Sequence, residues 1–487
     1  MISFTRLCSQ DAPSSDEVTY RPATVAGAFY PSDPEELKTW VKQYLDKGKP
    51  SNKEQNIIGI IAPHAGYVYS GWIAGQGYKK VQGKKYDAVI IIAPSHTKAF
   101  SGSSVFDGDA YVTPLGEVLV DKELSKEIVK INDLVKMSRE GHHWKGDRAE
   151  HSLEVQLPFI QTVLPKTKIV PIVMGSQDFE SADALMKAIV NSVRKLNKKV
   201  LIVASSDLSH YHDEATATDM DERLVKAFDK FDYFRIALNS FSRRWEACGG
   251  GPIVVAMMAA EQLGANKTQS VIYSNSANSP YIKGDSKSVV GYFSGIIYQD
   301  DISDDLLPLI SNENRQKLLE VAKATIINTA KEKEEIINID IPAGELSDEY
   351  ATFVTIHKHG QLRGCMGHTI ADNNLIAAVE ESAKLACSKD PRFSPVKVSE
   401  LDELEYEVTV LSRMKRVIDI EEIEPGRDGV LLRLGYNSGL FLPQVATEQN
   451  WDRKTLLEQL GRKAGLSKDS YKDSKAELYI FRGMVIK

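Results

Sequence analysis

The sequence predicts an α/β domain followed by an α+β domain, and three observations carry that expectation. First, five short aliphatic runs, IIGIIA (57–62), AVIIIA (88–93), KIVPIVM (168–174), VLIVAS (200–205) and SVVGYFSGIIY (288–298), read as strands. Most are continuous in apolar residues rather than alternating, the pattern of strands covered on both faces in a parallel or mixed sheet. Second, helical stretches at 34–46, 221–232 and 252–264 lie between them, and the alternating order is that of an α/β fold. Third, the acidic, turn-rich segment QDDISDDLLPL (299–309) breaks the rhythm. Beyond it come a helix over 313–335 and strands of antiparallel type at 351–360, 404–412, 428–435, 438–446 and 476–486, with helices at 374–387 and 452–463. The expected organisation is a first domain over 1–298, a linker over 299–310 and a second domain over 311–487.

Composition narrows the function classes. The 487 residues are 42% hydrophobic and 26% charged, an ordinary globular balance. The formal charge of -7 offers a polyanion no general attraction, so general nucleic-acid binding is not expected. Four scattered cysteines, Cys8, Cys248, Cys365 and Cys387, do not make a disulfide framework and point to a reducing compartment. No apolar run approaches the roughly 20 residues of a membrane helix, and the opening MISFTRLCSQDAPSSDE has no apolar targeting core. A cytoplasmic protein with no membrane association is the expectation.

Three strands of the first domain end in polar groups. His64 follows the first, His96 the second, and Asp207, His210 and His212 follow the strand VLIVAS. In an open α/β sheet, ligands bind beyond the carboxyl ends of the strands, so separate segments can bring imidazoles to one crevice. A metal site or an acid/base site accounts for several such histidines; three loop histidines, each held by its own carboxylate, is the alternative. Cys248, in ACGGGPI before an expected helix, is read as a nucleophile, a soft metal ligand or a small core cysteine. Two imidazoles and a thiolate suit iron, zinc or copper. In GHHWKGDRAEHSLEVQLPF, His151 and Glu154 would share a helix face and act behind such a site, whereas His142 and His143 are read as surface or lid residues.

The motifs RPATVAGAFYP, PHAGYVYSG, APSHTKAFSG, EHSLEVQLPF, SSDLSHYH and ACGGGPI, spread over about residues 20–298, together resemble the Memo family. That resemblance implies a fold similar to the class III extradiol dioxygenases. It implies metal ligation by His64, His96 and Cys248, and an active-site histidine at His210 with Asp207 beside it. Those dioxygenases hold iron(II) with two histidines and a carboxylate; a cysteine at the third position makes catechol ring cleavage doubtful and leaves metal-dependent redox chemistry on a small-molecule substrate. Iron(II) is the first expected cofactor, then copper or zinc. His210 would transfer a proton. A non-catalytic ligand- or peptide-binding scaffold is the alternative function, and zinc-dependent hydrolysis, with Glu150, Glu154 or His210 as base, is the third.

In the second domain, QLRGCMGHTI places Cys365 between glycines, near Arg363 and His368. Neighbouring positive charge would lower the thiol pKa and make a reactive or ligand-gripping turn; a structural strand–turn with a buried cysteine is the plain alternative. With DPRFSPV, LEYEVTVLS, GRDGVLLRLG and GLFLPQVA, this motif makes residues 311–487 resemble the AMMECR family. The resemblance marks Cys365 and Arg363 as its candidate catalytic residues. The two domains in this order resemble proteins B and A of the AmmeMemoRadiSam system. The implied partner is a separate radical SAM iron–sulfur protein, since no CxxxCxxC motif occurs here.

Overall fold

The computed structural model describes residues 19–52, 55–143, 149–301, 306–307, 310–333, 344–371 and 373–487. The amino-terminal segment with Cys8 and half of the acidic linker therefore lie outside the described residues. The chain divides into two compact units: residues up to 225 with 243–299, and 226–242 with 300–487.

The first unit is built on β1 (Tyr20–Arg21), β2 (Asn56–Ala62), β3 (Ala88–Pro94), β4 (Ser103–Phe106), β5 (Ala110–Thr113), β6 (Gly116–Leu119), β7 (Val135–Ser138), β8 (Lys168–Met174), β9 (Val200–Ser205), β10 (His210–His212), β11 (Lys267–Asn275) and β12 (Val289–Gln299). Its main sheet runs β10-β12-β2-β9-β3-β8-β4-β7, with β11 on β12, while β1, β5 and β6 form a small separate sheet. The central strands β2, β9, β3 and β8 are mutually parallel. Strand β12 joins β2 antiparallel, so the sheet is mixed, as the continuous apolar runs predict.

Both faces of those strands are covered, which is why they carry almost no polar residue. Helices α5 (Phe179–Leu196) and α8 (Gly250–Gln262) lie on one side. On the other lie α1 (Pro34–Asp46), α2 (Tyr67–Lys79) and α4 (Leu157–Val163). Local chemistry sets the helix ends. Asp33 caps α1 by accepting from the N–H groups of Glu35 and Glu36, with Pro34 at the first helical position. Asp178 caps α5, and Asn197 closes it in the left-handed region at φ 48°. The helix expected over 221–232 is longer, Glu214–Asp229. The α2 and α5 segments give no expected helix in the sequence reading. Helix α2 is buried on nearly every side and contains three glycines, so it shows no amphipathic stripe.

The second unit has two four-stranded antiparallel sheets. One is β14-β13-β15-β20, from β13 (Thr352–Lys358), β14 (Gln361–Gly367), β15 (Leu404–Leu411) and β20 (Gly483–Ile486). The other is β16-β19-β17-β18, from β16 (Lys415–Val417), β17 (Gly429–Leu434), β18 (Asn437–Phe441) and β19 (Glu477–Phe481). Helices α9 (Asn312–Ala330) and α10 (Leu375–Ser388) cover the first; α12 (Arg453–Lys463) packs on β17 and β18. Two expected strands are corrected. Residues 438–446 leave the sheet at Pro443, which opens a short helix, Pro443–Glu448, because proline fits a first helical turn better than a ladder. Residues 476–486 split at Arg482 into two strands that serve different sheets. Among the described residues, no helix is long and apolar enough to cross a membrane.

Candidate metal centre

The parallel register of β2, β9 and β3 decides where the polar groups emerge. These strands are neighbours pointing the same way, so the residues that follow them, His64, Asp207 and His96, leave the sheet along one edge. His151 arrives from the segment before the 3-10 turn Glu154–Gln156. The ligand atoms of His64, His96 and His151 all lie within 4.8 Å of one another. Cys248 Sγ lies 3.0 Å from His64 Nε2. The backbone N–H of Asp207 donates to that sulfur at 3.3 Å, and the N–H of Cys248 donates to the Asp207 carbonyl at 3.2 Å. Gly249 makes this approach possible. A Cβ there would sit 2.2 Å from the Ser205 carbonyl oxygen.

Hydrogen bonds set the Nδ1 proton of two of the rings. Ser205 Oγ donates its one hydrogen to the Ser152 carbonyl at 2.6 Å and accepts from Gln156 Nε2 at 2.8 Å. Its contact with His64 Nδ1 at 2.9 Å therefore requires Nδ1–H to donate, which leaves the Nε2 lone pair facing Cys248. His96 is set in the same way. Burial works to raise Glu150, but bonds from the His96 ring, its backbone N–H and Ser152 outweigh this and hold the carboxylate at about 2. An acceptor-only carboxylate 3.1 Å from His96 Nδ1 requires Nδ1–H to donate, so Nε2 is the nitrogen that ring can offer a cation. Burial and neighbouring imidazoles push His64 well below its ordinary value and His151 down to about 4, so both rings are neutral near pH 7. Neutral imidazoles with one lone pair each are the form that binds a cation. His151 also stacks on His96, with ring centroids 4.8 Å apart, and packs against Phe29 at 4.6 Å.

Burial pushes the Cys248 thiol well up, with the Asp207 charge adding to it, and pushes Asp207 itself up to about 7. The sequence places Asp207 beside His210, but its Oδ1 accepts the His64 backbone N–H at 2.7 Å. Glu246 accepts the His210 backbone N–H at 3.2 Å and pairs with the His212 ring at Nε2, 3.0 Å away. His210 is within electrostatic reach of His64 and His96, and burial lowers its pKa.

The reading of EHSLEVQ is corrected in two respects. His151 and Glu154 do not pair on a helix face. Glu150 braces His96, while Glu154 is fully buried and bonds Arg21 Nη1 at 2.6 Å, Tyr30 OH at 2.6 Å and Thr24 Oγ1 at 2.7 Å. That carboxylate gathers the RPATVAGAFY segment; losing one partner of a buried ion pair costs about 3–5 kcal/mol. His142 is not on a surface or lid. It is fully buried, bonded to Tyr111 OH and to the Ser104 carbonyl, and burial lowers it to about 3. Residues 144–148 lie outside the described residues. The sequence reading passed over Ser205, Ser152 and Gln156, whose signal is a polar residue ending or flanking an apolar run.

In the second unit, Arg363 is not beside the thiol of Cys365. Its guanidinium spans Glu400 with two bonds of 3.0 Å and reaches the carbonyls of Ser394 and Pro395. The thiol is raised rather than lowered, burial being the largest cause, and Arg392 is the cation that opposes it.

The match to known proteins follows the same architecture. The family model for Memo-like proteins matches residues 21–296, more than half of the chain. The chain belongs to the Memo-like family. The AMMECR1 family model matches residues 319–486, so this Memo-like chain carries an AMMECR1 domain. A MEMO1 family protein of Methanocaldococcus jannaschii is 36% identical over 287 residues, 56% of this chain and 97% of that protein. A MEMO1 family protein of Methanosarcina barkeri is 37% identical over 278 residues, 57% of this chain and 99% of that protein. Among solved structures, an uncharacterized protein from Pyrococcus horikoshii shares 32% identity, covering 36% of this chain and 92% of its own, with a TM-score of 0.35.

Proposed function

We propose that the Memo-like domain is a metal-dependent oxidoreductase whose cation is held by His64, His96 and Cys248, iron(II) before copper or zinc. Membership of the Memo-like family supports a metal-dependent role. The observation that carries the proposal is the convergence of three imidazoles, two of them with Nδ1 held by a hydrogen-bond partner, beside the half-buried thiol of Cys248. The donor set fits the metal: nitrogen and sulfur ligands suit a borderline transition-metal ion better than magnesium or calcium. A bound metal of this kind supplies redox and Lewis-acid chemistry to a small substrate.

The chain's own residues divide the remaining work. Ser205 and Glu150 orient the two imidazoles. Asp207 anchors the His64 backbone. His210, at the edge of the cluster, moves a proton to or from substrate. In this reading the protein works with a separate radical SAM iron–sulfur partner.

Metal analysis of anoxically purified protein tests the proposal. The expected result is about one redox-active metal per chain, lost on His64→Ala, His96→Ala or Cys248→Ala and retained on His210→Ala. Full occupancy in all three ligand variants would refute it.

A further inference from the structure

His151 is the imidazole of the cluster that the ligand set of His64, His96 and Cys248 leaves unused. Its backbone is fixed at both ends of the residue. The His151 N–H donates to Glu150 Oε1 at 3.1 Å, and its carbonyl accepts the Val155 N–H at 3.1 Å. The ring is packed as well. It lies 4.6 Å from the Phe29 ring and stacks on His96, 4.8 Å away at an interplanar angle of 22°. It meets the His64 ring at its edge, 5.5 Å away at 84°. His64 and His96 are themselves 5.1 Å apart. Three imidazoles thus form one tight triangle, and the donor atom that each offers lies within 4.8 Å of the other two.

The ring nitrogens of His151 differ from those of its neighbours. Ser205 holds Nδ1 of His64, and Glu150 holds Nδ1 of His96. That Glu150 carboxylate is 4.0 Å from Nδ1 of His151, outside hydrogen-bond range. Among the described residues, neither ring nitrogen of His151 has a hydrogen-bond partner. Only 21% of the side chain is exposed, and a polar group so far out of water ordinarily has a partner. Packing against Phe29 and His96 is met equally well by phenylalanine. What histidine adds is a third nitrogen lone pair beside the ligand atoms of His64 and His96.

We propose that His151 is a ligand of the cation alongside His64, His96 and Cys248. The inference rests on the metal reading above and adds a donor to it. A neutral imidazole contributes a bond without adding charge. Three nitrogens and a sulfur discriminate further against ions that take oxygen ligands, such as magnesium and calcium.

Cobalt(II) binding by the full chain under anoxic conditions tests the proposal. Affinity is read by competition with a chelator, and the visible d–d absorption of bound cobalt reports its donor set. His151→Phe keeps an aromatic ring against Phe29 and His96 and removes both nitrogens. It is expected to lower cobalt affinity at least about tenfold, the smaller end of what even a partner behind a ligand is worth, and to shift the d–d bands. His151→Gly removes the ring altogether. Added imidazole is expected to restore affinity and bands in His151→Gly and to do nothing in His151→Phe. Wild-type affinity and bands in His151→Phe would overturn the proposal. So would a fall in affinity with unchanged bands, the result of lost packing alone. In both cases binding that still depends on His64, His96 and Cys248 leaves the metal reading standing, whereas a wild-type chain that takes up no cobalt overturns both.

Discussion

One carboxylate, Glu150, holds His96 at two points. Oε2 accepts the His96 backbone N–H at 2.6 Å and Oε1 faces Nδ1 at 3.1 Å. The loop after β3 and the tautomer of its histidine are therefore set by the same side chain. Glu150 in turn is fixed by Ser152, whose Oγ and backbone N–H both bond Oε1.

Glu150→Gln tests that relationship. The amide keeps the shape but can present an N–H to the ring, so the His96 tautomer is no longer dictated. Metal affinity, measured by competition with a chelator, is expected to fall roughly 10- to 100-fold, the usual effect of losing a partner behind a ligand. His96→Ala should cost more. An affinity unchanged in Glu150→Gln would show that the contact does not prepare the ring for a cation.

Gly249→Ala tests the approach of Cys248 to His64. The added methyl would meet the Ser205 carbonyl oxygen at 2.2 Å and Ser206 Cβ at 2.7 Å. Neither can move without shifting β9 or the start of α8. Overpacking of this kind costs about 1–3 kcal/mol, read as a lower midpoint in denaturant unfolding, together with weaker metal retention. The same substitution at exposed Gly83, where a Cβ meets nothing, is barred as a control only by its φ of +79°.

Asp221 gives a pH signature. Its carboxyl is buried, bonded to the Ser209 N–H and Tyr273 OH, and burial raises it to about 6. The native state thus holds this proton more tightly than the unfolded chain, whose aspartates titrate near about 3.9. The stabilising contribution is full below about pH 4 and is lost as pH rises through about 6. Asn resembles the protonated form. Asp221→Asn is expected to gain on the wild type, by up to about 2–3 kcal/mol, as unfolding is measured at pH values rising from about 4 to about 7.5. A constant difference across that range would show that Asp221 does not titrate there.

Glu400 has the opposite sign. Its bond to Arg363, then to the Lys397 N–H, holds it at about 2. That contribution is full above the unfolded value of about 4.3 and disappears as pH falls through about 2. Arg363→Met should remove this acid-side loss of stability and loosen the loop carrying Asp390 and Arg392.

The fold class, the family and the residues that end the strands are determined by the sequence alone. Apolar runs without alternation require coverage on both faces, and such strands in an alternating α/β order already imply that His64, His96 and Asp207 leave one edge. Helix α2 was not legible because packing, rather than an amphipathic stripe, maintains it; α5 does carry Leu185, Met186, Ile189, Val190 and Val193 at helical spacing behind the Asp178 cap, a signal the sequence reading passed over. Proline and glycine positions predicted ends better than they predicted membership: the 476–486 run is one apolar segment in sequence and two strands in space.

Partners in space were decided only by the tertiary structure. Spacing put Asp207 next to His210, Glu154 next to His151 and Arg363 next to Cys365. Folding gives Asp207 to His64, Glu154 to Arg21 and Arg363 to Glu400. Each of these groups is buried or partly buried, and a buried charge goes to whichever donors the packed chain brings within hydrogen-bond reach, which sequence distance does not encode.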